Sequence, residues 1–309
     1  MTFKIERVAL IGLGLIASSI AHALRRLVDC PEIVGFARTQ ETRDRARELG
    51  FCDEVADEIM ATVKAADLVI ICTPVGVIDT VVQSIAAHLK DGAIVTDVGS
   101  VKASVAKSFD AQLPQTVHAI PGHPLAGTEN SGPDSGFASL FDNRWCILTP
   151  SPQNNPKAVD ALVEFWKSLG SKVEVMDAEH HDRVLAVTSH VPHLIAYTMV
   201  GVADNLSKVT ESEVIEYSAA GFRDFTRIAA SDPTMWRDVF LANKDATFEI
   251  LDRFTSELEM LKSAISNNDG QVLHDYFTHT RKIRREILEV GQDVNLPDFG
   301  RVQIDKKRK

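Results

Sequence analysis

RVALIGLGLIASS, residues 7–19, runs from a continuous apolar segment through a glycine-containing turn into a helix-forming stretch. An apolar run without polar alternation suits a strand buried on both faces. Gly12, Gly14 and Ala17 stand in a G-x-G-x-x-A spacing between the strand and the helix. Alone, that spacing is weak, and a strand–turn–helix with incidental glycines would also carry it. Placed after a strand and opening a helix at the start of a βα repeat, it reads as a dinucleotide-binding turn. The first glycine allows the tight turn, the second lets backbone approach the pyrophosphate, and the small third residue lets helix pack on sheet. Gly12, Gly14, Leu15 and Ile16 are the predicted contacts, where the helix N-terminus faces the phosphates.

Outward from that turn, strands and helices alternate. EIVGFAR (32–38), ADLVIICTPV (66–75) and AIVTDVGSVK (93–102) read as strands, and HAIPGHPL, WCILTP and SKVEVMD as further ones. SSIAHALRRL, ETRDRARELG and VVQSIAAHLKDG read as the helices between them. Such alternation predicts a parallel sheet in a doubly wound, Rossmann-type α/β domain over residues 1–176. Ligands of such sheets bind outside the carboxyl ends of the strands. Thr73 and Pro74, Ser100, and the loop after HAIPG fall there. An acidic residue at the end of the second strand would grip a free ribose 2′-hydroxyl. Arg38 and Thr39 stand there instead, with Arg43 nearby. A cation and a hydroxyl suit a 2′-phosphate, which gives a slight preference for NADP, while stacking of Arg38 on adenine would leave NAD open.

From about residue 177 the pattern is helical. RVLAVTSHVPHLIAYTMVGVADNL (183–206), DPTMWRDVFLANKDATFEILDRFTSELEMLKSAI (232–265) and VLHDYFTHTRKIRREIL (272–288) predict long helices. Phe248, Leu251, Phe254, Leu258, Leu261 and Ile265 form one apolar stripe. We assign residues 177–296 to an all-α domain for substrate and dimerisation, and 297–309 to a polar tail. The stripe suits a homodimer through these helices. His190 and His193 lie one turn apart. That spacing can hold a metal, but no short-range carboxylate or cysteine completes a set, and no metal is expected. Arg223 and Arg227 lie in GFRDFTRIAASDPTMW (221–236), a segment of small and polar residues. Arginine grips carboxylates bidentately, although a surface ion pair would explain them too.

A formal net charge of −10 argues against nucleic acid, and DKKRK reads as a solvated end. No run of about 18 apolar residues predicts a membrane span. The N-terminus lacks the layout of a signal peptide. Four separated cysteines without a CxxC pair fit a reducing cytoplasm.

GLGLIASS, DVGSVK, HPLAGTENSG, SHVPH and GFRDFTRIAASDPTMWRD occur in this order. This combination resembles the prephenate/arogenate dehydrogenase family of tyrosine biosynthesis over about residues 6–290. The resemblance implies NAD(P)-dependent oxidative decarboxylation of a dianionic ring substrate, prephenate or arogenate. It implies His123 as the catalytic histidine and Ser100 as a residue that hydrogen-bonds both His123 and the substrate hydroxyl. It implies Arg227 as the anion clamp and His193 and His190 as pocket residues. Thr128 and Glu129 match loop residues beside the catalytic histidine, and His181 a histidine near the site. Arg38 departs from the acidic residue of NAD-preferring members.

Two rival readings make opposite demands. A β-hydroxyacid-type dehydrogenase needs a lysine on the first long helix of the second domain, and residues 184–207 contain none; Lys208 follows that run. A nucleotide-sensing regulator without activity would not need His123, Ser100 and Arg227 together.

Overall fold

The computed structural model describes residues 3–128, 130–207 and 220–289. Glu129, Lys208 and the 297–309 segment lie outside the described residues. The chain divides into two compact units, Met1–Ile250 and Leu251–Lys309.

The first unit is built on a six-stranded parallel sheet, in the order β3-β2-β1-β4-β5-β6. Its strands are β1 (Arg7–Ile11), β2 (Glu32–Phe36), β3 (Glu54–Val55), β4 (Leu68–Ile71), β5 (Ile94–Asp97) and β6 (His118–Ala119). Helices α1 (Leu15–Leu24), α2 (Gln40–Leu49), α3 (Ile59–Val63), α4 (Val75–Ile85) and α5 (Ala103–Gln112) connect them. Successive strand residues point to opposite faces. Val8, Leu10, Ile33, Leu68, Ile70 and Ile94 therefore pack with α1 and α6 (Pro156–Ser168), through Ile20, Leu24, Leu162 and Trp166. Ala9, Ile11, Val69, Ile71 and Val95 pack on the other face with Ile78, Val82, Val105 and Phe109. Both faces are thus covered, which is why the strands read as unbroken apolar runs. Each fully buried aliphatic side chain contributes roughly 1.5–3 kcal/mol, so Leu10→Ala should cost about 2–5 kcal/mol through the cavity it leaves.

The later strands depart from the single sheet expected. β7 (Gly122–Pro124), β8 (Trp145–Leu148) and β9 (Lys172–Val175) form a second sheet, with β7 antiparallel and β9 parallel to β8. The two-residue β3 and the five-residue α3 are too short to show a period in the sequence.

The unit continues in α7 (Ala178–Leu185), a π-helical turn (Ala186–His190), α8 (Val191–Ser207), α9 (Ala220–Thr226) and α10 (Pro233–Ala242). The π turn precedes Pro192, which has no N–H to donate and whose ring collides with the carbonyl four residues back. The Val191 N–H instead reaches the Ala186 carbonyl, five residues back. Ala178–Leu206 is long and apolar enough by length and composition to cross a membrane. Its His181, Asp182 and His190 are buried beside the nucleotide-binding sheet, so we read it as a site-bearing helix. The segment 232–265, expected as one helix, breaks at Asn243 between α10 and α11 (Lys244–Ser266).

The second unit holds the end of α11 and α12 (Gly270–Glu289). Phe254, Leu258, Ile265, Phe277, Ile283 and Ile287 are exposed on these helices.

Candidate active site

The strand order places β1 and β4 side by side where the chain reverses direction across the sheet, and a crevice opens there. Gly12 has φ +95°, and a Cβ on it would lie 2.8 Å from the Cys72 carbonyl oxygen. Only glycine fits. A Cβ at Gly14 would meet nothing within 4 Å, so the space outside the N-terminus of α1 is open to a phosphate. The Thr73 hydroxyl beside it is buried without a hydrogen-bond partner among the described residues. An open helix N-terminus and an orphaned hydroxyl fit a dinucleotide pyrophosphate.

At the end of β2, Arg38 is exposed. Thr39 caps α2, its Oγ1 accepting from the Thr42 N–H at 3.3 Å. Arg43, expected to help Arg38, is committed elsewhere. Its guanidinium donates to the Ala37 and Arg38 carbonyls at 2.7 and 3.0 Å and pairs with Asp57 at 3.3 Å.

At the end of β5, Asp97 and Lys102 form an ion pair with both side chains fully buried. Burial pushes the Asp97 carboxyl up and the Lys102 ammonium down, each opposed by the other's charge. The pair brackets Gly122 of β7. Asp97 accepts from the Gly122 N–H at 3.1 Å, and Lys102 Nζ donates to the Gly122 carbonyl at 2.7 Å. His123 follows directly and is 7% exposed. Its Nδ1 meets His181 Nε2 at 2.9 Å, and His181 Nδ1 meets Asp182 Oδ1 at 2.8 Å. Asp182 also accepts from the backbone N–H groups of Lys102 and Ala103, at 2.7 and 2.9 Å. It thereby caps α5 from another helix. The hydrogen bonds close a ring from His123 through His181, Asp182 and Lys102 back to Gly122.

The ring sets the proton positions. A carboxylate only accepts, so His181 carries its proton on Nδ1 and accepts at Nε2. His123 then donates from Nδ1, and its Nε2 keeps a free lone pair. Burial, and then the charges of His181, Lys102 and His190, hold the His123 imidazole well below the usual histidine range. Burial likewise lowers His181, against the hydrogen bond it donates to Asp182.

His193 Nδ1 donates to the Ser189 carbonyl at 2.7 Å, and its ring stacks on Trp236 at 3.8 Å between centroids. Burial lowers His193, with Arg227 contributing. Arg227 is exposed and has no counter-ion among the described residues. Trp236 joins Val101 and Val239 in a small apolar cluster, which ties α10 to the Ser100 turn. Its indole N–H is buried without a partner.

Three expected residues sit differently from their sequence reading. The Ser100 hydroxyl is not bonded to His123, whose Nδ1 is taken by His181. His181 does not line a pocket; it is fully buried behind His123. His190 is also fully buried, its Nδ1 3.0 Å from Asn243 Nδ2. Thr128 is exposed, its hydroxyl accepting from the Asn130 N–H at 3.2 Å. Asp97, Lys102, Asp182, Trp236 and Asn243 were not singled out from the sequence. Asp97 left the clearest signal, a charge ending the buried run AIVT.

Comparison with known proteins agrees with this fold. Residues 20–175 match the family model for the prephenate dehydrogenase nucleotide-binding domain, and residues 177–279 that for its dimerization domain. Cyclohexadienyl dehydrogenase of Zymomonas mobilis is 42% identical over 281 residues, spanning 90% of this chain and 95% of that protein. Prephenate dehydrogenase from Aquifex aeolicus, solved with hydroxyphenyl propionate and NAD+, aligns with a TM-score of 0.86 at 32% identity, covering 93% of this chain and 100% of that one. Synechocystis arogenate dehydrogenase aligns at 0.77 and 28% identity, covering 91% and 99%. A nucleotide crevice at the switch point of a parallel sheet, a buried histidine with a free ring nitrogen and this agreement over nearly the whole length lead to one conclusion: the chain is an oxidoreductase belonging to the prephenate/arogenate dehydrogenase family.

Proposed function

We propose that the protein converts prephenate to 4-hydroxyphenylpyruvate and carbon dioxide in tyrosine biosynthesis, with His123 as general base. The observation that carries this reading is the free Nε2 of a neutral His123, held by the His181–Asp182 chain. A nicotinamide held by Gly12, Gly14, Leu15, Ile16, Thr73 and Pro74 would supply the acceptor for the hydride on ring carbon C4. His123 Nε2 accepts the hydrogen of the 4-hydroxyl as that hydride leaves. The bond between C1 and its carboxylate breaks, its electron pair enters the ring, and the proton returns to the phenolic oxygen. The ring becomes aromatic, and one hydride and one carbon dioxide are lost. Ser100 serves the substrate hydroxyl and the cofactor side. Arg227, beside His193 and without a counter-ion among the described residues, binds a substrate carboxylate through a bidentate contact, and His193 and Thr128 flank the substrate.

Gly12, Gly14, Leu15, Ile16, Thr73 and Pro74 hold the dinucleotide within residues 1–176, and residues 177–296 serve substrate and dimerisation. Arg38, exposed at the end of β2, supports NADP over NAD. The exposed apolar residues of α11 and α12 support a homodimer, and the separated free cysteines support the cytoplasm. Arogenate, which carries an amino group in place of the side-chain keto group, is the second reading, favoured by the cyclohexadienyl and arogenate dehydrogenase relatives. Steady-state assays with prephenate or arogenate, each with NAD or NADP, test the proposal; no turnover with any of the four pairs refutes it.

A further inference from the structure

Asn243 ends α10 with φ −110° and ψ 41°, leaving the helical path, and its side chain is buried toward α7 and the π turn. Its Nδ2 donates to the Asp182 carbonyl at 2.9 Å and meets His190 Nδ1 at 3.0 Å. A carbonyl only accepts, so the nitrogen of the carboxamide must be the atom on that side. The NH2 group carries two hydrogens, and the second faces His190 Nδ1. That ring nitrogen therefore accepts, and a neutral His190 carries its proton on Nε2. The Nε2–H is buried and has no well-formed hydrogen-bond partner among the described residues. The Ser100 backbone lies beside the ring and favours a proton on it.

We infer that Asn243 is a positioning residue of the reaction: it holds His190 as a neutral Nε2–H donor facing the Ser100 turn. The inference rests on the reading of His123 and Ser100 as the reacting centre. The charged and titratable groups facing His190 are Asp182 and His181 of α7, His193 of α8 and His123 of β7. Among them a histidine with a free acceptor nitrogen would be a second base competing with His123. A protonated one would place a cation beside His123 and oppose its taking up a proton. The Asn243 donor prevents both, because a nitrogen that receives a hydrogen bond neither binds a proton easily nor presents its lone pair elsewhere. Burial acts in the same direction and lowers His190 to about 4.

The test is the imidazole nitrogen spectrum of the full-length enzyme labelled with 15N-histidine, with His190 assigned by the signals lost in His190→Gln. At neutral pH the expected pattern is a protonated Nε2 and a bare Nδ1. A proton on Nδ1, or an imidazolium, overturns the inference. In Asn243→Asp the carboxylate turns Nδ1 into a donor. His190 should then gain a second proton at neutral pH, and kcat/KM should fall roughly tenfold or more below the new titration. An Asn243→Asp enzyme with the wild-type spectrum and pH profile also overturns it. Should that variant fail to fold, the wild-type spectrum alone decides. An enzyme inactive on both prephenate and arogenate would sink the proposed function while leaving the tautomer question answerable from the same spectrum.

Discussion

Asp182→Asn replaces one oxygen by an NH2 group and tests the ring at its hub. The two carboxylate oxygens accept from three donors: His181 Nδ1 at 2.8 Å, Lys102 N at 2.7 Å and Ala103 N at 2.9 Å. An amide has one acceptor oxygen, so either orientation sets its NH2 against a donor. With the oxygen kept toward His181 and Lys102, the cap on Ala103 is lost, at about 1.5–3 kcal/mol for a hydrogen bond to a charged group. With the amide reversed, His181 must accept at Nδ1, which moves its proton to Nε2. His123 must then accept at Nδ1 and carry its own proton on Nε2. The base has become a donor, and loss of a general base lowers turnover by roughly 10²–10⁴. We expect kcat in that range and a melting temperature several degrees lower, with cofactor affinity by fluorescence titration little changed. Turnover within about threefold of wild type, in a folded variant, would show that the His123 tautomer is not set from Asp182.

His123→Asn should keep cofactor affinity and lower turnover by roughly 10²–10⁴; it should also abolish the acidic limb of kcat/KM, which in the wild type lies below pH 6.5 because burial depresses this imidazole. Arg227→Ala should raise KM for the ring substrate by about tenfold to a hundredfold, from about 1.5–3 kcal/mol for one charged contact, with a smaller effect on kcat; a KM effect on the cofactor alone would reassign the residue. Arg38→Asp should move the NADP/NAD preference toward NAD by about tenfold or more, and an unchanged ratio would withdraw the preference for NADP. Acid should destabilise the fold. His123, His181, His190 and His193 are all depressed from 6.5, His190 to about 4, so between those values the unfolded chain binds protons that the folded chain does not. Stability is therefore complete above pH 6.5 and falls as pH drops toward 4, by up to about 1.4 kcal/mol per pH unit for each histidine. Urea midpoints that stay flat across this interval would contradict the burial of the cluster.

What could be read from the sequence divides along a physical line. The nucleotide turn is local: Gly12, Gly14 and Ala17 act within one strand–turn–helix, so spacing and context suffice. The parallel sheet is nearly as accessible, because burial on both faces writes itself as uninterrupted Val, Ile and Leu. Strand direction leaves no such mark, and β7 and β8 have the same apolar character whether they extend the main sheet or pair antiparallel beside it. The reacting centre is harder still. His123 was found through a resemblance, and nothing near it announces His181, 58 residues on. The lysine that ends DVGSVK looks solvent-facing until Asp97 and the Gly122 carbonyl enclose its ammonium. Asn243 sits inside an unbroken helical pattern, and only its two partners, 61 and 53 residues earlier, explain why the helix stops there. In each of these cases the residue bonds to groups distant in sequence, and its meaning lies in donor and acceptor counts that a linear pattern does not contain. The same counting works in reverse. Once His123, His181 and Asp182 are known to touch, the direction of every proton in the chain follows from the single fact that a carboxylate cannot donate. The function of His123 as a base is then a consequence of the company it keeps rather than of its residue type.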